Sequence, residues 1–265
     1  MKKIFFSILL LVVTGIAYSA DGIVIVSKTK DLSDGSISST NIYMTETSVA
    51  LENKGAKDNS TFIFNSDKQD FTYVDHKKKE YYYFDQATMQ QLKQQIKMLM
   101  MMFKQFSANM PEEQKKKLGK FMNEDEAVME FVDTGASEKI GKWRANIYEG
   151  TSNGQKATDM YIASFKTIGI AKDEFKVMES LISYFRTNLG EIAGFLPQES
   201  SFSQIGFDES SPVFKEGVPV KTISYNNKSA KNENIVESIK RTSVSSAMFQ
   251  PPSGYASKKI NMNMK

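Results

Sequence analysis

The sequence predicts an α+β fold built on one large antiparallel sheet. Short runs of β-branched and aromatic residues recur near both ends of the chain, parted by polar turns. Two longer segments repeat apolar residues in steps of three and four instead. No Pro-rich or Gly/Ser-rich linker divides the chain, so a single domain over 21–265 is expected, with helices inserted between two strand groups.

Residues 1–20, MKKIFFSILLLVVTGIAYSA, have the make-up of a cleaved leader. Lys2 and Lys3 form a positive start, Ile4 to Val13 an apolar core, and Ala17, Ser19 and Ala20 suit a signal peptidase. Cleavage after Ser19 or after Ala20 is compatible with this pattern. The apolar core is short of the ~20 residues that span a bilayer, so no transmembrane anchor is expected in the mature chain. A short Lys-Lys leader is of the bacterial kind, and the periplasm is the expected address.

Gly22–Ser27, Ser38–Met44 and Thr47–Leu51 read as strands, with Asp34-Gly35 as a hairpin turn. Three aromatic runs follow, at Phe62-Ile63-Phe64, Phe71–Val74 and Tyr81–Phe84. Their regular spacing predicts neighbouring antiparallel strands. Asp85 then caps a helix whose stripe is Met89, Leu92, Ile96, Leu99, Phe103 and Phe106. Met98, Met101 and Met102 make it apolar over more than a core-facing stripe requires. Pro111 suits the start of another helix.

Val128–Val132 reads as a strand, Gly135 as a turn, and Ile140–Tyr148 as one continuous strand with Trp143 in its middle. A Ser152-Asn153-Gly154 turn joins it to Ala157–Phe165. A second amphipathic helix spans Lys172–Leu189. Val218–Tyr225 and Ile235–Val244 form a final hairpin, with Pro219 suited to an edge strand. The tail after Tyr255 is expected to fray.

Composition removes several functions. Without cysteine there are no disulfides, thiolate nucleophiles, Cys-ligated metals or lipidated cysteine. His76 is the single histidine, which removes His-based triads and multi-histidine metal sites. Net charge is +3, and two of those charges lie in the leader. The mature chain is then nearly neutral, and no nucleic-acid partner is expected. No nucleophile elbow, phosphate-binding glycine loop or zinc-protease motif is present.

The segments Met248–Tyr255 (MFQPPSGY), Ile140-Gly141-Lys142 leading to Ile147-Tyr148, and Gly217–Lys221 occur behind a leader and a YYYFD run. In this the chain resembles the DUF4412 family of exported bacterial proteins. The resemblance implies a curved half-barrel, similar to that of the periplasmic lipoprotein carriers, with helices on its concave face. It brings no catalytic residues and no cofactor.

The functional expectation is a non-enzymatic periplasmic binding protein for an apolar ligand: a lipid, an acyl chain or a lipidated partner. Met98, Met101, Met102, Phe103 and Phe106 are the candidate lining, since methionine adapts to varied apolar shapes. Packing between helix and sheet, or soft-metal binding, would use the same methionines. Trp143 either stacks on a ligand or sits in the core. The alternative function is an envelope scaffold that binds another protein without a small-molecule ligand.

Overall fold

The computed structural model describes residues 19–56, 58–108, 129–189, 211–226 and 229–259, except the side chains at 99, 100, 103, 104, 107, 108 and 189. The expected leader through Tyr18, the helix expected at Pro111 and the Ser-rich stretch before Ser211 lie outside the described residues.

Twelve strands form one open, curved sheet in the order β12-β6-β5-β4-β3-β2-β1-β11-β10-β9-β8-β7. β1 (Ser19–Asp31) begins inside the stretch expected as leader, with Ser19 opposite Ser245 and Ala20 opposite Val244. It lies in mid-sheet between β2 (Ile37–Met44) and β11 (Ser229–Ser245). From β2 the chain meanders through β3 (Ser48–Lys54), β4 (Asn59–Asn65), β5 (Asp70–Asp75) and β6 (Glu80–Phe84). The other half holds β7 (Met129–Ile140), β8 (Trp143–Ser152), β9 (Gln155–Ala163) and β10 (Val218–Asn226). Ala256–Lys258 forms β12, which pairs with β6 as the sheet's parallel strand.

Helix α1 (Gln86–Ala108) starts where Asp85 accepts the Thr88 amide at 2.8 Å. Helix α2 (Lys176–Leu189) continues a 3₁₀ turn, Lys172–Phe175. A single helical turn, Phe165–Ile168, is capped by Ser164.

The registers place alternate residues in rows across the sheet. One row on the concave face runs Ile23, Met44, Val49, Phe64, Phe71, Phe84. The next runs Ile25, Ile42, Leu51, Phe62, Tyr73, Tyr82. α2 lays Met178, Leu181, Tyr184 and Phe185 into the same core, the 3₁₀ turn before it adds Phe175, and α1 adds Met89. Phe71 is central: its ring stacks on Phe84 at 4.1 Å and meets Phe62 at 5.0 Å and Phe185 at 5.7 Å.

The convex face of the first half is also covered. Ala50, Ile63 and Val74 form a second apolar cluster under Tyr43, Tyr81, Phe249 and Tyr255. The chain leaving β11 crosses this face as a strap to reach β12. His76 fastens the strap: its Nε2 is 2.7 Å from Thr61 Oγ1 and its Nδ1 is 3.1 Å from the Tyr255 hydroxyl. Burial on both faces is why Val49-Ala50-Leu51 in β3 and Phe62-Ile63-Phe64 in β4 are unbroken apolar runs. The His76 tip is therefore half-buried and bonded, and within the tail expected to fray Ala256–Lys258 is strand, while residues 260–265 lie outside the described residues.

β1 and β11 are longer than the sequence reading, and the second half of the sheet departs from it at three further places. β7 continues past Gly135, which sits at φ 69° in a bulge between Asp133 and Ser137. The segment read as one strand from Ile140 is broken by a turn at Gly141 (φ 57°) and Lys142, so Trp143 opens β8. Pro219 lies on an interior strand, not an edge. A register shift falls there, and pairing of β10 with β11 starts only at Lys221, so the missing N–H leaves no gap in the ladder.

Arg241 ties β11 to the 3₁₀ turn before α2. Its Nε and Nη2 donate to Glu174 at 2.8 and 2.6 Å, and its Nη1 to the Gly169 carbonyl at 2.9 Å. The bonds from Arg241 hold the Glu174 carboxyl below its ordinary range. The stabilisation is present above the unfolded-state value and is lost as pH falls through the lower folded value. Glu174→Gln is therefore expected to lower the urea midpoint at neutral pH and to lower it progressively less as the pH is brought down through the acid range. Midpoints measured across that range check this. An equal loss throughout would show that the ion pair is not the cause.

Tyr184 packs its ring on Phe64 and Phe71, and its buried hydroxyl has no hydrogen-bond partner among the described residues. Burial raises that hydroxyl's pKa to about 12. Tyr184→Phe removes an unsatisfied polar atom and is expected to raise stability by about 1 kcal/mol. Urea unfolding reads it directly, and a clear loss would reveal a partner for the hydroxyl.

Candidate functional site

A cavity of about 140 Å³ lies on the concave face, between the sheet and the elements that cover it. β1 contributes Ile25, Ser27 and Thr29; β2 contributes Thr40 and Ile42; β3 contributes Leu51. Across the β1–β11 seam come Val236 and Asn234, then Thr222, Pro219 and Val218 from β10, and Met160 from β9. Met178 of α2 and the turn residues Val213 and Phe214 close it from above.

The residue rows give the cavity two chemistries. Ile25 faces Ile42, which faces Leu51. The next row is Ser27, Thr40, Asn53, and beyond it Thr29 faces Asn234, which faces Thr222. The apolar end thus lies beside the aromatic core, and the polar end lies along the seam. The polar groups are already organised. Asn234 Nδ2 donates to Thr29 Oγ1 at 2.8 Å and to Ser27 Oγ at 3.3 Å, and Thr40 Oγ1 donates to Asn53 Oδ1 at 2.8 Å. No charged side chain lines the cavity among the described residues.

Along the seam beside the cavity's polar end, the ion pairs lie on the opposite face. There Lys28 pairs with Glu237 at 2.7 Å and Lys221 with Glu233 at 3.2 Å. Since the side-chain period is two, residues next to the cavity-lining Thr29, Asn234 and Thr222 point away from it.

The wall over the cavity is held by a tight turn. Phe214 adopts φ 59°, donates its amide to the Gly217 carbonyl at 2.8 Å, and stacks on Phe175 with ring centroids 5.6 Å apart. A Cβ on Gly217 would stand 2.1 Å from the Ala163 carbonyl oxygen, so only glycine lets this turn approach β9.

A second crevice of about 200 Å³ lies under the strap on the convex face. It is lined by Ile63, Phe249 and Pro251 together with Asn65, Lys68, Asp70 and Tyr83. Tyr83 donates to Asp70 at 2.5 Å, a bond that raises the tyrosine's pKa to about 12. The crevice is lined by charged as well as apolar side chains and is partly closed by the Tyr83–Asp70 bond, so the concave cavity is the better apolar site.

The residues expected from sequence lie elsewhere. Met98, Met101, Met102 and Phe106 are exposed on the half of α1 away from its start, at 61, 62, 53 and 69%. They neither fill the gap between helix and sheet nor line the cavity, because α1 turns Met89, Leu92 and Ile96 toward the core instead. The Phe103 side chain lies outside the described residues. Trp143 is core, 3% exposed, with Lys142 Nζ 5.1 Å from its ring centroid, and does not reach the cavity. Among the described residues no group of acidic or histidine side chains could hold a metal ion, and no helix is long and apolar enough to cross a membrane.

No family model matches the chain, and no curated protein does. Among solved structures, the chain is similar to an uncharacterized conserved protein from Thermus thermophilus. That match covers 90% of each chain at 8% identity, with a TM-score of 0.45.

Proposed function

We propose that this is an exported, periplasmic binding protein without catalytic activity, which holds an apolar group on the concave face of its sheet. The resemblance to the DUF4412 family and to lipoprotein-carrier half-barrels is part of the same reading. The observation that carries it is the cavity itself, apolar at one end and ringed by neutral hydrogen-bonding groups at the other. At about 140 Å³ it has room for a group of roughly benzene size. A full acyl chain requires the Val213–Phe214 turn to move away from the sheet. An envelope scaffold is the second reading, and the exposed methionines of α1 favour it.

The test is native mass spectrometry of the gently purified protein, followed by uptake of a fluorescent fatty acid. A bound mass that extracts into organic solvent is expected. Thr222→Phe, which fills the cavity from a half-buried position, is expected to weaken uptake about ten-fold or more while leaving the melting temperature near that of the parent. Undiminished uptake by this variant, or a clean apo mass with no uptake, would reject the cavity as the binding site.

A further inference from the structure

We propose that the ligand of the concave cavity has an uncharged, hydroxyl-bearing head, as a long-chain alcohol or a monoacylglycerol has, and that a carboxylate head is selected against. The inference rests on the cavity reading above and narrows its ligand class.

The polar end of the cavity holds donors and acceptors that its own bonds leave open. Asn234 spends both protons of its amide group, on Thr29 Oγ1 at 2.8 Å and on Ser27 Oγ at 3.3 Å, so its Oδ1 is left to accept. Thr29 accepts one of these bonds and keeps its own hydroxyl proton to give. Thr40 spends its proton on Asn53 Oδ1 and can still accept. Thr222 lines the cavity opposite Asn234, and its hydroxyl has no partner among the described residues.

A carboxylate only accepts. Placed here it would share the space with acceptor oxygens and find no cation, since no charged side chain lines the cavity among the described residues. Lys28 and Lys221 adjoin Thr29 and Thr222 in sequence and so point to the other face, where Glu237 and Glu233 hold them. Burying an anion without a counter-charge is costly. An ammonium head meets the converse lack, a missing carboxylate. A hydroxyl both gives and accepts, and that is the mixture the wall offers.

The strands extend the same chemistry by one row. Ser224 stands two residues past Thr222 on the same face, opposite Thr158 of β9. Neither hydroxyl has a hydrogen-bond partner among the described residues, and Thr158 is 6% exposed. Buried hydroxyls are rarely left unmatched. A head with a second hydroxyl, reaching one row along the strands, supplies the missing bonds.

The test uses probes sized to a cavity of about 140 Å³: benzyl alcohol, toluene and benzoate. Each is titrated into the purified protein at neutral pH, and binding is followed through backbone amide shifts. The shifts are expected to concentrate in β1, β10 and β11. Benzyl alcohol is expected to bind about ten-fold or more tighter than benzoate and about five-fold tighter than toluene. Thr222→Val keeps the side chain's shape and removes its hydroxyl. It is expected to narrow the benzyl alcohol-to-toluene ratio about three-fold, and Thr222→Phe to abolish the shifts from both. Benzoate binding as tightly as benzyl alcohol, or a ratio unchanged in Thr222→Val, would overturn the head preference and leave the cavity as an apolar site. Absence of shifts with toluene and benzyl alcohol alike would reject the cavity itself, and the head preference with it. Shifts that persist in Thr222→Phe would place the probes elsewhere and reject both as well.

Discussion

Phe71→Ala is expected to cost about 3–5 kcal/mol of unfolding free energy. The ring is 7% exposed and lies where both halves of the aromatic core meet. On the sheet it touches Phe62 and Phe84; on α2 it touches Phe185 and, edge-on at 6.2 Å, Tyr184. Its removal leaves a cavity that rigid strands on either side cannot collapse to fill. The loss should also loosen α2, because two of these ring contacts belong to that helix. Urea unfolding measures the total, and hydrogen exchange in α2 measures the local part. A double-mutant cycle with Phe185→Ala should show coupling, since aromatic pairs add about 0.5–1.5 kcal/mol beyond buried area. A cost below about 1 kcal/mol would mean that the helix does not seat on this ring.

Gly217→Ala carries the second large effect, for a different reason. The new methyl would sit 2.1 Å from the Ala163 carbonyl oxygen and 2.9 Å from the Ser164 Cα, both backbone atoms that cannot rotate away. The turn must therefore shift away from β9, at a cost of about 1–3 kcal/mol or more. Val213 and Phe214 move with it, and the Phe214–Phe175 stack is lost. Since these two residues roof the concave cavity, the expected result is a less stable protein with faster exchange of an apolar probe. Stopped-flow displacement of a fluorescent fatty acid, set beside thermal unfolding, separates the two effects. Unchanged probe kinetics in a destabilised variant would show that the turn is a brace and not a roof.

The first-half meander was legible in the sequence, because each aromatic run is short, suits an extended strand, and is closed by a polar turn. The two amphipathic helices were legible from their three-four steps. The break at Gly141 was not, since the apolar and aromatic residues on either side of it form an unbroken strand-like run. β12 was hidden because a Lys- and Ser-rich strand gains its place from its partner, β6, and not from its own composition. The polar rim of the cavity was illegible for a related reason. Ser27, Thr40, Thr222 and Asn234 are ordinary residues in ordinary strands, and only the seam between the chain's two ends assembles them. The methionines drew attention as the lining of a pocket, whereas the helix turns them outward.

The seam between β1 and β11 has a consequence for how the molecule can come into being. β1 is the first strand made and β11 nearly the last, and their side chains meet across 224 positions at Ser19 and Ser243. Until the closing stretch of chain is available, β1 has a partner on one side only, and the two strand groups are separate ribbons with no common core. Long-range pairing of this kind is slow to form. The chain therefore cannot finish folding while its C-terminal part is still being synthesised. The same half-filled slot is where a strand of another chain could insert if release of the C-terminal segment were delayed.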